Sequence, residues 1–177
     1  MERITVFTPT YNRRQSLTRV FESLQKQTYR DFNWIIVDDG SKDDTKSLID
    51  EFIVKADFKI IYIYQENAGK HSAINRGLKE TTSELFLIAD SDDSFKENAL
   101  EIFINTWESI PLEERSQYKG VIAKCYNAED GTPIGSYPQH MFDSNDLDAY
   151  FRLRLCFEKW NIVRTDIMKE IPFPEPN

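Results

Sequence analysis

The first part of the chain alternates short apolar runs with segments whose apolar residues recur at helical spacing. Strands are predicted at 4–8, 34–37, 60–64 and 85–89. The segments between them are typical of helices that bury one side, as in the spacing of Leu17, Val20, Phe21 and Leu24. Two further helices are predicted from the apolar sets Ala73, Ile74, Gly77 and Leu78, and Leu100, Phe103, Ile104 and Trp107. This order predicts an α/β fold of three layers, in which helices cover both faces of a Rossmann-like, mostly parallel central sheet.

The part of the chain after Pro111 shows a less regular pattern. Strands are predicted at 120–125 and 160–163. Glycines and prolines between residues 131 and 138 indicate a loop or a short hairpin there. This part contains neither a repeat nor a low-complexity tract, and it is expected to continue the domain rather than to form a linker.

Serine and threonine residues at three positions predict where helices begin, because these residues are favoured at helix N-caps. Ser41 lies three residues before Asp44 and resembles a capping box at the start of the second helix. Ser144 and Thr165 are expected to cap brief helices in the second part of the chain. The apolar side of the second helix is predicted to consist of Leu48, Ile49, Phe52 and Ile53.

The composition indicates a folded domain that does not bind nucleic acid. The chain has 177 residues, of which 40% are hydrophobic, so one domain with a sizeable core is expected. Its net charge is −8. Binding to a nucleic-acid backbone requires clustered Lys and Arg, which this acidic balance argues against. A ligand that carries phosphate would need a local cation or a basic side chain.

The two cysteines and the hydropathy favour a cytoplasmic location. Cys125 and Cys156 have neither the spacing of metal ligands nor the density of a disulfide scaffold, so both are expected to be reduced thiols. No apolar stretch is long enough to span a bilayer. Peripheral contact with the inner face of a membrane stays open, and so does the oligomeric state.

Polar segments follow each of the first four predicted strands. They are 9–14, 38–41, 65–71 and 90–93. Ligands of an open parallel sheet bind outside the carboxyl ends of its strands. We therefore expect these four segments to share one edge of the sheet and to form a single ligand site.

The segment Asp90-Ser91-Asp92-Asp93 carries the strongest signal for a metal ion. Three crowded carboxylates repel one another unless a cation or protons intervene, and hard oxygen ligands suit Mg²⁺ or Mn²⁺. A divalent ion there would stabilise a diphosphate as a leaving group. Taken alone, the segment is equally consistent with a solvated turn that caps the next helix.

Two strand ends offer groups that suit a nucleotide base. Asp38 and Asp39 follow the second strand, and a carboxylate accepts the N3–H of a uracil ring. Tyr11 has a ring that stacks on a base, and Thr8 and Pro9 would shape the same pocket. Taken alone, Asp38 and Asp39 more often form a helix N-cap, and Tyr11 more often packs on the surface.

A phosphate site is suggested at the start of the third helix. Lys70 and His71 follow Gly69, which places a cation and backbone N–H groups where a phosphate would bind. Lys70 is equally consistent with a solvated side chain. The sequence lacks a G-x-G-x-x-G fingerprint, a phosphate-binding P-loop and a G-x-S-x-G elbow, which argues against dinucleotide-binding, P-loop and α/β-hydrolase proteins.

Taken together, four motifs resemble those of the family 2 glycosyltransferases, which have the GT-A fold. They are Phe7-Thr8-Pro9-Thr10-Tyr11-Asn12, Ile36-Val37-Asp38-Asp39-Gly40-Ser41, Asn67-Ala68-Gly69-Lys70 and the DxD-like Asp90-Ser91-Asp92-Asp93. Their order matches the family, and the combination is far more specific than any one motif. The resemblance implies an inverting enzyme that transfers a sugar from a nucleotide-diphosphate sugar, usually a UDP-sugar, to an acceptor hydroxyl.

The resemblance also implies roles for individual residues. Asp92 would be the main ligand of Mn²⁺ or Mg²⁺, with Asp93 next, while Asp90 would face the ribose or the metal. Which of the three binds the ion directly is left open. The residues expected to hold the donor are Thr8, Pro9, Tyr11, Asp38, Asp39, Asn67, Lys70, Asp90 and Ser91.

The catalytic base of the family lies in an acidic motif of the later half. Here Pro172-Phe173-Pro174-Glu175 looks like the segment that leads up to it, so the base is expected beyond Asn177 and Glu175 is a weak candidate. We expect one catalytic domain, in which 1–110 form the nucleotide-sugar-binding half and 111–177 begin a truncated acceptor-binding half. Such a chain would bind donor but transfer poorly.

The acceptor is expected to be a saccharide or a lipid-linked saccharide of cell-surface polysaccharide synthesis, by family analogy only. An alternative function is a non-catalytic module that binds a nucleotide sugar. A receiver-like phosphoacceptor domain would need its acidic pair after the first strand, where this chain has Pro9 and Thr10. A sugar-nucleotide pyrophosphorylase would need a glycine-rich basic loop there, and only Arg13 and Arg14 are present.

Overall fold

A computed structural model describes residues 2–135, 140–145, 147–152 and 159–175. The strands are β1 (Ile4–Thr10), β2 (Phe32–Asp38), β3 (Lys59–Tyr64), β4 (Leu85–Ile88), β5 (Gly120–Lys124) and β6 (Lys159–Arg164). The α-helices are α1 (Arg14–Gln25), α2 (Thr45–Lys55), α3 (Lys70–Glu80), α4 (Ala99–Ser109) and α5 (Thr165–Glu170). Cys156, Pro138 and Asn177, which entered the predictions above, lie outside the described residues.

The six strands form one sheet in the order β3-β2-β1-β4-β6-β5. β1 pairs in parallel with both β2 and β4, and β2 pairs in parallel with β3, whereas β6 runs antiparallel to β4. The prediction of a mostly parallel sheet in an α/β fold is therefore confirmed. β4 and β6 are far apart in sequence, and the local pattern of β6 carries no sign of its direction.

One face of the sheet packs against α3. Ile35 and Val37 of β2 lie in a buried cluster with Phe7, Phe86 and the apolar residues of α3. Gly77 of α3 allows this close approach, since a Cβ atom at its position would lie 2.2 Å from a ring carbon of Phe7. The predicted apolar side of α3 is confirmed: Ala73, Ile74, Gly77 and Leu78 are all buried.

The opposite face of the sheet packs against α1 and α2 through aromatic rings. Trp34 of β2 stacks with Phe21 of α1 and with Phe52 of α2, at centroid distances of 6.4 and 6.2 Å. Because Trp34 and Ile35 are neighbours in an extended strand, their side chains point to opposite faces. Both faces of the sheet are thus covered, and this is the physical reason why β2 is apolar along nearly its whole length.

The predicted helix starts at Ser41 and Thr165 are wrong. The N-cap residue of α2 is Asp44, and Ser41 lies outside the helix, where its Oγ accepts a hydrogen bond from the N–H of Asn12. The N-cap position of α5 is Arg164, and Thr165 is already inside the helix with its hydroxyl buried and without a partner among the described residues. At Ser41 a tertiary contact outweighs the local capping preference.

Two other predictions about side chains, for Ile53 and Ser144, also differ from the structure. Ile53 was expected on the apolar side of α2, but it is 44% exposed, and the buried residues of this helix are Thr45, Ile49 and Phe52. Ser144 does not cap the turn that follows it. The side-chain oxygen of Asn145 instead accepts the N–H of Asp148, where a single π-helical turn (Asp148–Arg152) begins.

The chain divides into two compact units, one of Met1–Val121 with Ile162–Asn177 and the other of Ile122–Asn161. Of the elements in the described residues, the first unit contains the four parallel strands and the helices α1 to α5. In the second unit, Tyr126 pairs with Pro133 in an isolated antiparallel bridge, which is consistent with the predicted loop or short hairpin. Among the described residues, no helix is long and apolar enough to cross a membrane.

Candidate functional site

The registers of neighbouring strands bring their carboxyl ends level with one another. Thr10 of β1 lies opposite Asp38 of β2, and Asp38 lies opposite Tyr64 of β3. Just after β4, the N–H of Ala89 donates to the carbonyl oxygen of Phe7 at 2.8 Å. The four polar segments that follow these strands therefore begin at the same edge of the sheet, as a parallel topology predicts.

Asp39 connects two of these segments. Its carboxylate is 5% exposed and accepts three hydrogen bonds, from Nε2 of Gln65 at 2.7 Å and from the N–H groups of Ala68 and Gly69, both at 2.8 Å. Residues 65–69 are thereby held against the end of β2. Two carboxylate oxygens offer about four acceptor positions, so a position for a ligand donor remains.

Gly40 lets the loop after β2 approach the segment that Asp39 holds. Its φ is +85°, and a Cβ atom there would lie 2.9 Å from the backbone nitrogen of Asn67. The side-chain amide of Asn67 donates to the backbone oxygen of Asp39 at 2.9 Å. Only glycine combines this φ with so close an approach. Asn67, predicted near the base or diphosphate, therefore also ties the two loops together.

Asp38 is buried and serves the scaffold of the site. It is 1% exposed, and its two oxygens accept hydrogen bonds from the N–H of Ser41 at 2.8 Å and from the hydroxyl of Tyr62 at 2.9 Å. Burial of the phenol and its hydrogen bond to Asp38 raise the pKa of Tyr62 above its ordinary value of 10.0. Sequence reasoning missed Tyr62, which reads as an ordinary strand residue.

The raised pKa of Tyr62 predicts a stability that falls at high pH. The folded state holds the phenol proton more tightly than the unfolded chain does. This contribution is complete below about pH 10 and is lost as the pH rises toward the folded-state value. In urea unfolding, we expect Tyr62→Phe to be about 1 kcal/mol less stable at pH 7 because it lacks the hydrogen bond. The difference from the wild type should shrink above pH 10.

A matched control for this experiment is Tyr64→Phe, at a position that is 58% exposed. We expect it to be within about 0.5 kcal/mol of the wild type at pH 7, as for other surface substitutions. A difference between wild type and Tyr62→Phe that stays constant from pH 8 to pH 11.5 would contradict the prediction.

The loops after β1 and β2 are linked through Asn12. Its N–H donates to Oγ of Ser41, and its side-chain oxygen accepts the N–H of Lys42, both at 2.8 Å. Asn12 has a φ of +52°, in the left-handed region, which asparagine tolerates better than most residues. Tyr11, immediately before it, is 45% exposed and has a ring face that a ligand can reach.

Thr8 and Pro9 take different places in the site. The hydroxyl of Thr8 is fully buried and accepts a hydrogen bond from Nε1 of Trp34 at 2.9 Å, so this side chain belongs to the core beneath the loop. Pro9 is half-buried in β1. A cleft of about 550 Å³ opens between the two loops and is lined by residues 12–16 and 42–44.

Lys70 faces the acidic segment that follows β4. Its Nζ donates to Oδ1 of Asp90 at 2.6 Å, and both side chains are about half exposed. Lys70 begins α3 directly after Gly69, whose N–H is held by Asp39. The sequence prediction that the glycine precedes a helix start is confirmed. The structure also brings Lys70 to Asp90, which local sequence alone does not indicate.

The residues of the acidic segment 90–93 differ in exposure, and one of its carboxylates makes a hydrogen bond within the segment. Oδ2 of Asp93 accepts the N–H of Asp90 at 2.8 Å, and Ser91 is 8% exposed. Asp92 is exposed, and its backbone oxygen accepts a hydrogen bond from Arg19 at 3.4 Å. Sequence reasoning missed Arg19, which lies on α1 and reads as a solvated helical residue.

The carboxylates of this segment fit a magnesium or manganese ion in their chemistry. In the described part of the chain, no group of three or more His, Cys, Asp or Glu side chains converges as a metal site. Mg²⁺ in phosphate-binding sites keeps several water ligands and uses only one or two protein carboxylates together with phosphate oxygens. An exposed Asp92 beside Asp90 and Asp93 meets that smaller requirement.

Glu175, the weak candidate for a base, is exposed at the end of the described chain. Its Oε1 accepts a hydrogen bond from Nδ2 of Asn75 at 3.0 Å. Asn75 is buried on α3, and sequence reasoning gave it no role in the site. A polar residue within a helical apolar stripe is the signal that would have marked it.

Apart from Glu175, the residues of the site lie within a segment that matches a known protein family. The model of the family described as Glycosyl transferase family 2 matches residues 5–163. The chain is 34% identical over 128 residues to a teichoic acid poly(glycerol phosphate) polymerase from Staphylococcus epidermidis, and the match covers 72% of this chain and 17% of that protein.

A second relative is a GalNAc(5)-diNAcBac-PP-undecaprenol beta-1,3-glucosyltransferase from Campylobacter jejuni. It is 29% identical over 133 residues, which cover 74% of this chain and 40% of that protein. The chain thus spans less than half of the length of either relative.

Solved structures share the fold. S. aureus TarS 1-349 in complex with UDP-GlcNAc superposes with a TM-score of 0.65 at 25% identity, over 98% of this chain and 49% of that chain. The mannosyltransferase PcManGT from Pyrobaculum calidifontis, in complex with GDP-Man and Mn²⁺, gives a TM-score of 0.51 at 28% identity. That match covers 52% of this chain and 28% of the other.

Proposed function

Because the chain belongs to glycosyltransferase family 2 and has its GT-A fold, we propose that it forms the donor-binding part of a glycosyltransferase. The reaction is the transfer of a sugar from a nucleotide-diphosphate sugar to an acceptor hydroxyl, with inversion at the anomeric carbon. The observation that carries this proposal is the set of contacts around Asp39 and Lys70, which gathers three strand ends and the start of α3 at one edge.

The base of the nucleotide is proposed to bind at the loops after β1 and β2. Tyr11 stacks on the base, and the remaining acceptor position of Asp39 takes a base N–H. Thr8, Pro9 and Asp38 support this pocket from beneath. A uracil base fits these groups, and the UDP-GlcNAc complex of the TarS fragment supports a UDP-sugar as the donor.

The diphosphate and the ribose are proposed to bind at the start of α3 and the end of β4. Lys70 and the N-terminal end of α3 favour a negative charge at this place. Asn67, Asp90 and Ser91 line the same edge. On donor binding, Lys70 exchanges part of its contact with Asp90 for a phosphate oxygen, so that its charge is not left without a partner.

A divalent ion, Mn²⁺ or Mg²⁺, is proposed to be held by Asp92 together with Asp90 and Asp93. Such an ion would supply positive charge that stabilises the departing nucleotide diphosphate. The Mn²⁺ in the PcManGT complex supports this role, since that protein shares the fold. The acidic segment is also the part of the site with the greatest need for a cation, because three carboxylates lie within four residues.

The acceptor is proposed to be a saccharide or a lipid-linked saccharide of cell-surface polysaccharide synthesis. The teichoic acid polymerase and the glucosyltransferase that acts on an undecaprenol-linked saccharide support this class. A carboxylate base would remove the proton of the acceptor hydroxyl as it attacks. We further propose a cytoplasmic location at the inner membrane face, with donor binding by 1–110 and acceptor binding beginning in 111–177.

The proposal is tested by calorimetric titration of UDP and of GDP, each with and without Mn²⁺. We expect UDP to bind in the presence of Mn²⁺ and Asp92→Ala to weaken this binding at least about tenfold, the loss expected when a metal-bridged contact to phosphate is removed. Asp31→Ala removes the same charge from an exposed position before β2 and should bind like the wild type.

The outcomes of this titration are distinct. A preference for GDP would keep the fold and the reaction class and change the donor. UDP binding that is independent of both Mn²⁺ and Asp92 would contradict the metal site. Binding of neither nucleotide by a folded chain would contradict the proposed function.

A further inference from the structure

Asn75 holds the segment that follows α5 against α3. It is only 5% exposed, and its side-chain amide makes three hydrogen bonds. Its oxygen accepts the N–H of Phe173 at 2.9 Å, while its nitrogen donates to the backbone oxygen of Phe173 at 2.9 Å and to Oε1 of Glu175 at 3.0 Å. This amide therefore contacts the backbone of Phe173 in the way that a neighbouring β-strand would.

The chemistry of these contacts is specific to an amide. Phe173 lies between two prolines, which have no N–H, so its N–H is the sole backbone donor of residues 172–174. A side chain at position 75 must both accept from this N–H and donate to a carbonyl and a carboxylate. Asparagine does so, whereas aspartate lacks the donor and alanine lacks both functions.

The direction of the segment follows from a second contact. Nζ of Lys169, in α5, donates to the backbone oxygen of Thr81, just after the end of α3. The chain then reaches Asn75, six positions nearer the start of α3, at Phe173. The segment thus runs antiparallel to α3 and toward Lys70.

The distance along α3 from Asn75 to Lys70, at the edge of the sheet where the polar segments meet, is short. Asn75 lies five positions after Lys70 in α3, which is about 7.5 Å along the helix axis. Two or three extended residues cover that distance. Pro174 and Glu175, the described residues after Phe173, therefore continue from Asn75 in the direction of Lys70.

We infer that Asn75 is a positioning residue for the acceptor side of the site, and that it sets the place of the Glu175 carboxylate beside the donor edge. One oxygen of Glu175 contacts Asn75, and the exposed carboxylate retains acceptor positions that suit hydroxyl groups of an acceptor saccharide. The inference rests on the proposed function. Asn75 itself does not touch the donor, and it acts through the segment that it holds.

Hydrogen exchange at the Phe173 amide tests the contact independently of any activity. We expect Asn75→Ala to speed exchange at Phe173 at least about tenfold, because this N–H loses the acceptor that it has among the described residues. The exchange of α3 amides should be unchanged. Asn105→Ala, the same change at an exposed position of α4, is the matched control and should exchange like the wild type.

Two further substitutions test whether Asn75 holds the segment through its hydrogen bonds or only contributes to the general stability of the protein. Asn75→Asp keeps the acceptor for Phe173 but sets a carboxylate against Glu175, so Phe173 exchange should again accelerate at pH 7. Adding Glu175→Gln returns a donor to the pair and should slow exchange again in part, because the carboxylate at position 75 still faces the carbonyl oxygen of Phe173. No rescue in the double variant, or wild-type exchange in Asn75→Ala, would overturn the inference.

A kinetic assay tests the role of Asn75 in the reaction. It measures the release of UDP from UDP-GlcNAc with water as the acceptor. We expect Asn75→Ala to lower kcat roughly 10- to 100-fold, because the Glu175 carboxylate no longer orients the attacking hydroxyl group, and to leave the donor KM within about twofold. A rise in donor KM that accounts for the whole loss would overturn the inference. A wild type that binds neither UDP nor GDP contradicts the proposed function instead, and the exchange measurement still decides the role of Asn75.

Discussion

Replacing Asp39 by alanine is expected to abolish UDP binding and to lower the free energy of unfolding by roughly 2–4 kcal/mol. The variant removes the common acceptor of Gln65, Ala68 and Gly69. Two of these donors are backbone N–H groups that cannot turn toward another partner. The segment 65–69 would lose its anchor on β2, and with it the start of α3 that carries Lys70.

The conservative variant Asp39→Asn sharpens this prediction. An amide keeps one acceptor oxygen, but its NH₂ group faces a donor, so we expect a loss of stability of about 1–2 kcal/mol and UDP binding at least tenfold weaker. The measurements are urea unfolding and calorimetric titration. Asp31→Ala serves again as the control of equal charge change, and an Asp39→Ala variant with wild-type UDP affinity would contradict the assigned role.

Gly77→Ala is expected to destabilise the protein by about 2 kcal/mol, although alanine is the better helix former. The gain in helix propensity is about 1 kcal/mol. The opposing effect is a steric clash. The new Cβ atom would lie 2.2 and 2.4 Å from two ring carbons of Phe7, a side chain that is fully buried between sheet and helix. Overpacking of this kind costs typically 1–3 kcal/mol and more where the backbone cannot shift, so the steric term wins.

The double variant with Phe7→Leu tests the cause of this loss. The smaller side chain removes the ring atoms that the new methyl group would meet. We expect the two substitutions together to be at least about 1 kcal/mol more stable than the sum of the single effects predicts. Urea unfolding of all four proteins measures this coupling. A Gly77→Ala variant as stable as the wild type would show that α3 moves away from β1 at little cost.

The agreement between prediction and structure is closest for buried periodic elements. The predicted apolar stripe of α1, from Leu17 to Leu24, is buried throughout, and so is the stripe of α4 from Leu100 to Trp107. A helix that packs on a sheet must bury one side, and this requirement is local enough to be visible in the spacing of residues. The strand core of β2 was likewise predicted from its apolar run.

Helix starts were predicted less well, because a hydroxyl has several possible partners. Ser41 had the spacing of a capping box, yet its Oγ accepts a hydrogen bond from Asn12, a residue of another loop. Thr165 occupies the first position of α5 instead of its N-cap. Capping is worth about 1 kcal/mol, so a single tertiary contact is enough to override it.

The sequence alone determined the α/β class and the edge of the sheet at which the four polar segments meet, since strand ends and apolar spacing are local properties. It also placed Asp39, Lys70 and Asp92 among the candidates. Only the tertiary structure decided their contacts. In the fold, Asp39 accepts hydrogen bonds from residues 65–69, and Lys70 contacts Asp90. Asn75 met Phe173, 98 residues later in the chain. Such contacts depend on which elements become neighbours in the fold, and that is a property of the whole chain rather than of any short segment.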